Sequence, residues 1–466
     1  MTTALAVDLG SSSGRVLAGT LVDGRLEITK VHRFYHEARR DGEDLVWDLD
    51  TMWTELVAGL KMAAEQFPDA VSISVDTWGV DFVPLNSKDE IVGKSLAYRD
   101  ERTVRTHEAF RARIGDEEFF ELTGNAPATI NSANQLFALT QEHPEQVDEI
   151  DSFLFLPDYF AWKLTGVKGW SRTIASTSGL CGPGAREWSD EVFTRLGLKK
   201  EWAGELNKDL TVVGPCTIPG LEHLTVVRAG AHDTACAVHG LPIEDGVKKA
   251  FFLSAGSWSV LGAMEDNPLI SPEAYAIGLT NEGRTDGGVR PLFNITGMWI
   301  LQELQRQWER EGTPTDTDEL VAQARECAPC EAVFDPDDPR FAEPGGMVEK
   351  IDQALAEQGV AAPASMPEYV RLVIESFARR YARAIDDLAA IVGERPEQLN
   401  LVGGGARNHL LSDLTARLAN VRVVAGPIEA SILGGLLAQL EIMGYLDPAD
   451  RPAVIAATAE TRVHTP

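Results

Sequence analysis

The sequence is short of the features that mark a secreted or membrane-bound chain. Only five cysteines occur among 466 residues, Cys181, Cys216, Cys236, Cys327 and Cys330, an odd and scattered set that excludes a dense disulfide framework. Cys327-Ala-Pro-Cys330 has CxxC spacing, but no second pair and no nearby histidine completes a zinc site, which leaves a redox dithiol or an incidental surface pair. No apolar run reaches the roughly 20 residues needed to cross a bilayer. The opening Met1 to Val7 has neither the basic start nor the apolar stretch of a signal peptide, so a soluble cytoplasmic protein with no membrane partner is expected. Positive charge is scarce as well: 42 Lys+Arg stand against 71 Asp+Glu, a net charge of −29. Nucleic acids and anionic membranes need clustered basic side chains, so both are excluded as partners, and any small anion must be held by local groups.

Apolar content is ample, at 44% hydrophobic residues, and the length suggests two domains rather than one. Ala4-Leu5-Ala6-Val7 reads as a strand that breaks at Asp8 to Gly14 and returns through Arg15 to Gly19. The same grammar recurs at Ala250 to Leu253, Ser254 to Ser257 and Trp258 to Gly262, which suggests a duplicated domain. Further strands are expected at Val71 to Val75, Leu224 to Val227, Leu399 to Val402 and Val421 to Val424. A long amphipathic helix should open at Pro367, bury Val370, Ile374, Phe377, Tyr381, Ile385 and Leu388, and stop at Gly393. Alternating strands and helices define an α/β fold, with domains at 1–245 and 246–466 joined by a hinge at Pro242 to Gly246. No heptad or apolar stripe declares an oligomeric partner.

Three glycine-bearing turns follow strands: Gly10 to Gly14, Gly256-Ser257 and Gly403 to Gly405. Glycine permits positive φ and lets successive N–H groups face a phosphate, although each turn alone is as well explained by a tight hairpin. Together they point to a nucleotide, while the absence of GxxxxGK[ST] and of GxGxxG disfavours the P-loop and dinucleotide folds. Asp8, at a strand end, is placed either to orient a hydrated Mg²⁺ or simply to form a turn. Asp233, between His232 and Thr234, is placed to accept a hydroxyl proton or to cap a helix. Asp76-Thr77-Trp78-Gly79 offers a ring and a backbone amide to a small polyol, with Trp78 as plain core the alternative. Tyr98-Arg99-Asp100-Glu101-Arg102 reads as solvated surface.

Taken in order along the chain, these segments resemble the FGGY carbohydrate kinases. The matching pieces are Val7 to Gly10 with Ser12 to Arg15, Asp76 to Phe82, Ala97 to Asp100, Leu156 to Phe160, His232 to Ala235, Asn281 to Gly283, Asn294 to Gln302, Val402 to Gly405 and Gly426 to Ser431. The resemblance implies two ribonuclease H-like domains of the actin and hexokinase superfamily closing over a central cleft. It implies transfer of the γ-phosphoryl group of ATP, with Mg²⁺, to a small ketose, and the DTWGVDF and HDTA segments imply the 1-hydroxyl of L-rhamnulose. L-Fuculose, D-xylulose, D-ribulose or glycerol remain as substrates, and a sugar-sensing ATPase that makes no phosphosugar remains as another class. By the same resemblance Asp233 is the proton acceptor, and Gly79, His232, Asp233, Thr234 and Asn294 contact the sugar. Ser11, Ser12, Ser13, Gly14, Arg15, Ser257, Gln302, Gly403 and Gly404 contact ATP, and Asp8 with Asp233 organises the metal. The chain departs from the family pattern at Ser11, where Ala is expected, and at Ser257, where Thr is expected.

Overall fold

The computed structural model describes residues 2–256 and 258–466, so the expectation at Ser257 lies outside the described residues. Two compact units are present. One comprises Met1–Leu241, Met264–Pro291 and Ala430–Thr458, and the other Pro242–Ala263, Leu292–Glu429 and Ala459–Pro466. The chain first leaves the first unit at Leu241 and returns to it twice, where a single switch near residue 245 is expected from the sequence.

In the first unit, β1 (Thr2–Leu9), β2 (Ser13–Val22), β3 (Arg25–Tyr35), β4 (Ala70–Thr77), β5 (Thr211–Pro215) and β6 (Thr225–Arg228) form one sheet in the order β5-β6-β4-β1-β2-β3. The β1–β2–β3 meander is antiparallel, β1, β4 and β6 run parallel, and β5 is antiparallel to β6 at the edge. Strand β1 is buried from Thr3 to Leu9, the pattern of a strand covered on both faces. One cover is helix α1 (Leu49–Gln66), whose Met52, Leu56, Gly59, Leu60 and Ala63 fall on a single buried face at 3.6-residue spacing. Its start is fixed by Asp48, whose carboxylate accepts the Thr51 N–H at 3.0 Å. The short helix α2 (Asp233–His239) follows β6.

A second sheet repeats the plan. Strands β7 (Ala250–Ala255), β8 (Trp258–Ala263), β9 (Thr280–Gly283), β10 (Val289–Thr296), β11 (Gln398–Val402), β12 (Arg422–Ala425) and β13 (Arg462–His464) lie in the order β9-β10-β8-β7-β11-β12-β13. Again an antiparallel hairpin supplies the first strand, two parallel strands follow beside it, and an antiparallel strand closes the edge. The expected duplication is therefore a duplication of topology. Helices α3 (Trp299–Arg310), α4 (Thr317–Glu326), α5 (Met366–Val392) and α6 (His409–Ala419) belong to the second unit. The six apolar residues expected on one face of α5 are all buried, and Gly393 ends it at φ 84° in the left-handed conformation.

Helices α7 (Ala430–Ile442) and α8 (Arg451–Thr458) return to the first unit. A glycine contact explains how closely α7 meets α2: a Cβ on Gly434 would lie 1.8 Å from the Cys236 carbonyl oxygen, and one on Gly240 would lie 2.8 Å from that of Ala430. Gln439 then ties α7 to the sheet, accepting the Ser72 hydroxyl at 2.8 Å and donating to the Leu5 carbonyl at 3.1 Å. All five cysteines are free thiols. Burial pushes the Cys330 thiol up to about 12, reinforced by Glu375, which leaves it un-ionised and a poor redox group. Among the described residues no helix is long and apolar enough to cross a membrane.

Candidate active site

In the first unit the parallel order β6-β4-β1 delivers three motif segments to one edge of the sheet, at the C-terminal ends of its strands, where α/β folds collect ligands. Asp8 and Asp76 are rung partners, as are Leu9 and Thr77, and Thr77 bridges to His232. The Trp78 amide donates to the Leu9 carbonyl at 3.3 Å and the Thr77 amide to the Ala231 carbonyl at 3.1 Å. Asp8, Gly79, His232, Asp233 and Thr234 are thereby all carried on this edge.

Asp8 is buried and ion-paired with Arg15, its partner across the β1–β2 ladder, at 2.7 Å; the Ser431 hydroxyl also reaches it at 3.4 Å. Asp76 is stranger. It is 1% exposed, and among the described residues neither carboxylate oxygen has a hydrogen-bond partner. Burial first, then the charges of Asp8 and Asp233, push its pKa well above the usual carboxylate range, against the pull of Arg15. Asp233 is the open member, with its side chain 35% exposed. Its Oδ1 accepts the Thr234 hydroxyl at 3.0 Å and lies 3.3 Å from His232 Nε2. His232, rather than Asp233, occupies the cap position of α2, and neither side chain caps the helix, so the capping alternative for Asp233 does not hold.

Among the described residues no three His, Cys, Asp or Glu side chains are close enough to ligate a metal by themselves. A hydrated Mg²⁺, which keeps several waters and few protein ligands, suits this spacing, and the two orphaned oxygens of Asp76 beside Asp8 are the polar groups such waters would satisfy. The residues therefore fit the ion.

The Asp76 to Phe82 motif is held under strain. Val80 has φ 70°, a left-handed conformation that a β-branched residue rarely adopts. Its amide donates to the Thr177 hydroxyl at 3.0 Å, while its carbonyl accepts Ser132 Oγ at 2.6 Å and Gln135 Nε2 at 3.1 Å. A Cβ on the adjacent Gly79 would lie 3.1 Å from Thr177, so that position leaves room for little more than glycine. Trp78 is core: its indole N–H donates to Asp81 at 2.9 Å and its ring centroid lies 4.7 Å from that of Trp47. The Tyr98 to Arg102 cluster is in part a correction. Asp100 and Arg102 are buried, 3.4 Å apart, with Asp100 accepting the Leu45 N–H and Arg102 donating to Gln135 Oε1.

The glycine turns are built differently from one another. Neither Gly10, Gly14 nor Gly256 has positive φ; Gly403 alone does, at 81°. Gly14 is needed for packing, because a Cβ there would come within 2.2 Å of the Phe34 ring. Ser11, Ser12 and Ser13 form the short β1–β2 turn, closed by the Gly10 N–H to the Ser13 carbonyl. In the second unit, a cavity of about 810 Å³ is lined by Gly256 from the β7–β8 turn, Gln302 of α3, α4 residues, and Gly404, Gly405, Arg407 and Asn408 with the start of α6. Two of the expected nucleotide contacts, Gln302 and Gly404, thus share one cavity, with Gly403 adjoining. Asn294 is exposed on β10, opposite Val260 of β8. Sequence reasoning missed Arg290, whose only signal was a charge within a strand-like run, and quoted Glu282 within the Asn281 to Gly283 segment without giving it a role.

Two hairpin-led sheets of matching topology, a carboxylate edge on one and a glycine-lined cavity at the other, make this a two-domain α/β protein carrying the groups that phosphoryl transfer needs. Comparison with known proteins narrows this. Residues 3–240 match the N-terminal domain of the FGGY family of carbohydrate kinases and residues 251–441 match its C-terminal domain. The chain belongs to that family. It is 35% identical to a rhamnulokinase from Bacteroides thetaiotaomicron over 444 residues, 94% of this chain and 90% of that protein. Among solved structures it resembles ligand-bound xylulose kinase from Lactobacillus acidophilus, with a TM-score of 0.83 and 16% identity over 100% of this chain and 94% of that one. Plasmodium falciparum glycerol kinase with ADP gives a TM-score of 0.81 at 17% identity, with the same coverage.

Proposed function

We propose that the protein transfers the γ-phosphoryl group of ATP to the 1-hydroxyl of L-rhamnulose, giving L-rhamnulose 1-phosphate and ADP, with Asp233 as general base. The observation that carries the reading is the state of Asp233: one carboxylate oxygen is occupied by neighbours and the side chain is half-buried at the strand-end edge, next to His232, Thr234 and Gly79. The identity to the Bacteroides rhamnulokinase across nearly the whole chain supports the choice of sugar. In this reading residues 1–245 carry the sugar contacts and the base, and residues 246–466 carry ATP contacts.

Asp233 Oδ2 takes the hydroxyl proton as the sugar O–P bond forms and the bond to ADP breaks. General-base help of this kind is worth about 10²–10⁴-fold. In this reading the Ser11 to Gly14 and Gly403 to Gly405 turns would offer N–H groups to phosphate oxygens, while Arg15 holds Asp8 in one orientation through their 2.7 Å ion pair. Asp8, Asp76 and Asp233 would hold a Mg²⁺ through its waters, and the ion would supply charge neutralisation on the phosphates.

The test is to incubate the enzyme with MgATP and L-rhamnulose, L-fuculose, D-xylulose, D-ribulose or glycerol, comparing kcat/KM and identifying products by mass spectrometry. L-Rhamnulose should lead the panel and yield the 1-phosphate. A higher kcat/KM for another member overturns the choice of sugar, and ATP hydrolysis without any phosphosugar overturns the kinase. Asp233→Asn should lose about 10²–10⁴-fold in kcat while binding sugar and ATP within a few-fold of the parent.

A further inference from the structure

His232 is surrounded by charged side chains in a way that admits one placement of its proton. Arg290, near the start of β10, is fully buried, and its Nη2 lies 2.5 Å from both His232 Nδ1 and Glu282 Oε2. Its Nη1 donates to the Gly283 carbonyl. A guanidinium carries donors and no acceptor, so Nδ1 must be the acceptor in this contact; two N–H groups could not face each other at that distance. The imidazole proton is then on Nε2. Glu282 Oε2 is itself 3.2 Å from Nδ1, but it is farther than Arg290 and already takes the Arg290 N–H. Although burial pushes the Glu282 carboxyl up, the charge and hydrogen bond of Arg290 pull it below the usual carboxylate range, so the anion that anchors Arg290 persists at neutral pH.

Nε2 faces Asp233. It lies 3.3 Å from Oδ1, the oxygen that also accepts the Thr234 hydroxyl. We propose that Arg290, anchored by Glu282, is a positioning residue that fixes His232 in the Nε2–H tautomer, so that His232 and Thr234 together engage Oδ1 and leave Oδ2 to take the sugar proton. The placement of the proton stands on geometry alone, whereas its catalytic use rests on the reading of Asp233 as the base.

Two measurements test it. The first needs no substitution at the buried pair: protein labelled with ¹⁵N-histidine is examined by long-range ¹H–¹⁵N correlation, and His232 is assigned among the nine histidines by the signals that vanish in His232→Gln. An unprotonated Nδ1 with a protonated Nε2 is expected; the Nδ1–H tautomer, or a ring protonated on both nitrogens at neutral pH, overturns the proposal. The second compares kinetics of Arg290→Lys with those of the double variant Glu282→Gln/Arg290→Met, which removes both charges together. The double variant should lose ~10–100-fold in kcat with the sugar and ATP KM values within about three-fold, the size of loss seen when a group that orients a functional histidine is removed. Arg290→Lys, which keeps a donor, should recover part of it. An unchanged kcat, or a loss that Arg290→Lys shares in full, overturns the positioning role. If Asp233→Asn retains near-normal turnover, the base assignment fails while the nitrogen pattern of the parent protein stands, so the two failures are distinguishable.

Discussion

Asp8 and Asp76 stand on the same rung of the parallel β1–β4 ladder, and among the described residues Asp8 has an ion-pair partner across the sheet, Arg15 at 2.7 Å, while the Asp76 oxygens have no hydrogen-bond partner. Adjacent strands lie roughly 4.8 Å apart, so two carboxylates face the same way at close range with one countercharge between them. Asp76 responds by holding its proton: burial, then Asp8 and Asp233, raise its pKa. Above pH ~4 the unfolded chain has lost that proton, so the native carboxyl costs stability that increases as pH rises. Asp76→Asn should therefore raise the thermal midpoint of the metal-free protein, more at pH 8 than at pH 5. It should also shrink the further rise produced by added Mg²⁺. Thermal melts in chelator and in Mg²⁺ check both, and a lowered midpoint in chelator at pH 8 contradicts this account of Asp76.

Thr177 holds the strained motif from outside. Its hydroxyl accepts the Val80 N–H at 3.0 Å and donates to the Ile174 carbonyl at 2.8 Å. Keeping a non-glycine residue in the left-handed region costs ~1–2 kcal/mol, so Val80 needs such clamps. Thr177→Val keeps the shape and removes the hydroxyl, leaving a buried amide unpaired at a cost of about 1–3 kcal/mol. The expected result is lower stability in urea and a raised KM for the sugar with a smaller change in kcat, because Gly79 sits against the same side chain. Thr177→Ser should behave like the parent; equal losses in the two variants would show that the methyl group, not the hydroxyl, matters.

The elements that sequence resolved are those whose signal is local. Leu253 and Leu401 lie in apolar runs bounded by turn residues, and both runs are strands; Gly393 ends a 27-residue helix just where the periodicity fades. The motif residues Asp8, Gly79 and Asp233 were legible because strand ends beside glycine collect ligands, and the sheet order brings them to one edge. What stayed hidden depends on partners distant in sequence. Asp100 and Arg102 read as surface charge, yet Gln135 and the Leu45 amide bury them. Arg290 becomes meaningful only beside His232, 58 residues earlier. Gly14 looked like turn chemistry, but the ring of Phe34 on β3 dictates it. Charge and glycine are ambiguous letters until a tertiary neighbour is known.

Close approach of helices gives the next prediction. A Cβ on Gly434 would fall 1.8 Å from the Cys236 carbonyl oxygen, a backbone atom that no rotamer change can move. Gly434→Ala must push α7 away from α2, and α2 begins at Asp233. Overpacking of a fixed contact costs about 3 kcal/mol or more where the backbone itself has to shift. The variant should unfold at lower urea concentration and, in the protein that remains folded, show reduced kcat. Wild-type stability in Gly434→Ala would mean that the two helices separate freely.

A carboxyl among tryptophans supplies a pH test. Asp81 is buried and its Oδ2 accepts the indole N–H groups of Trp47 at 2.7 Å and Trp78 at 2.9 Å. Burial raises its pKa to about 6, although hydrogen bonds from Trp78 and Trp47 and the charge of Arg102 pull the other way. The sign follows from proton counts. Between pH ~4, where an unfolded Asp ionises, and pH 6 the fold retains a proton that the unfolded chain has released, so stability falls as pH rises through that window and levels off above it. At about 1.4 kcal/mol per unit the full effect is of the order of 3 kcal/mol. Asp81→Asn keeps an acceptor for both indoles and cannot ionise, so its stability relative to the parent should improve between pH 4.5 and pH 7. Urea titrations followed by tryptophan fluorescence, which Trp47 and Trp78 report directly, measure the difference at each pH. A difference that stays constant across the two pH values would mean that Asp81 ionises in the fold as readily as in the unfolded chain, and its burial would then need another explanation.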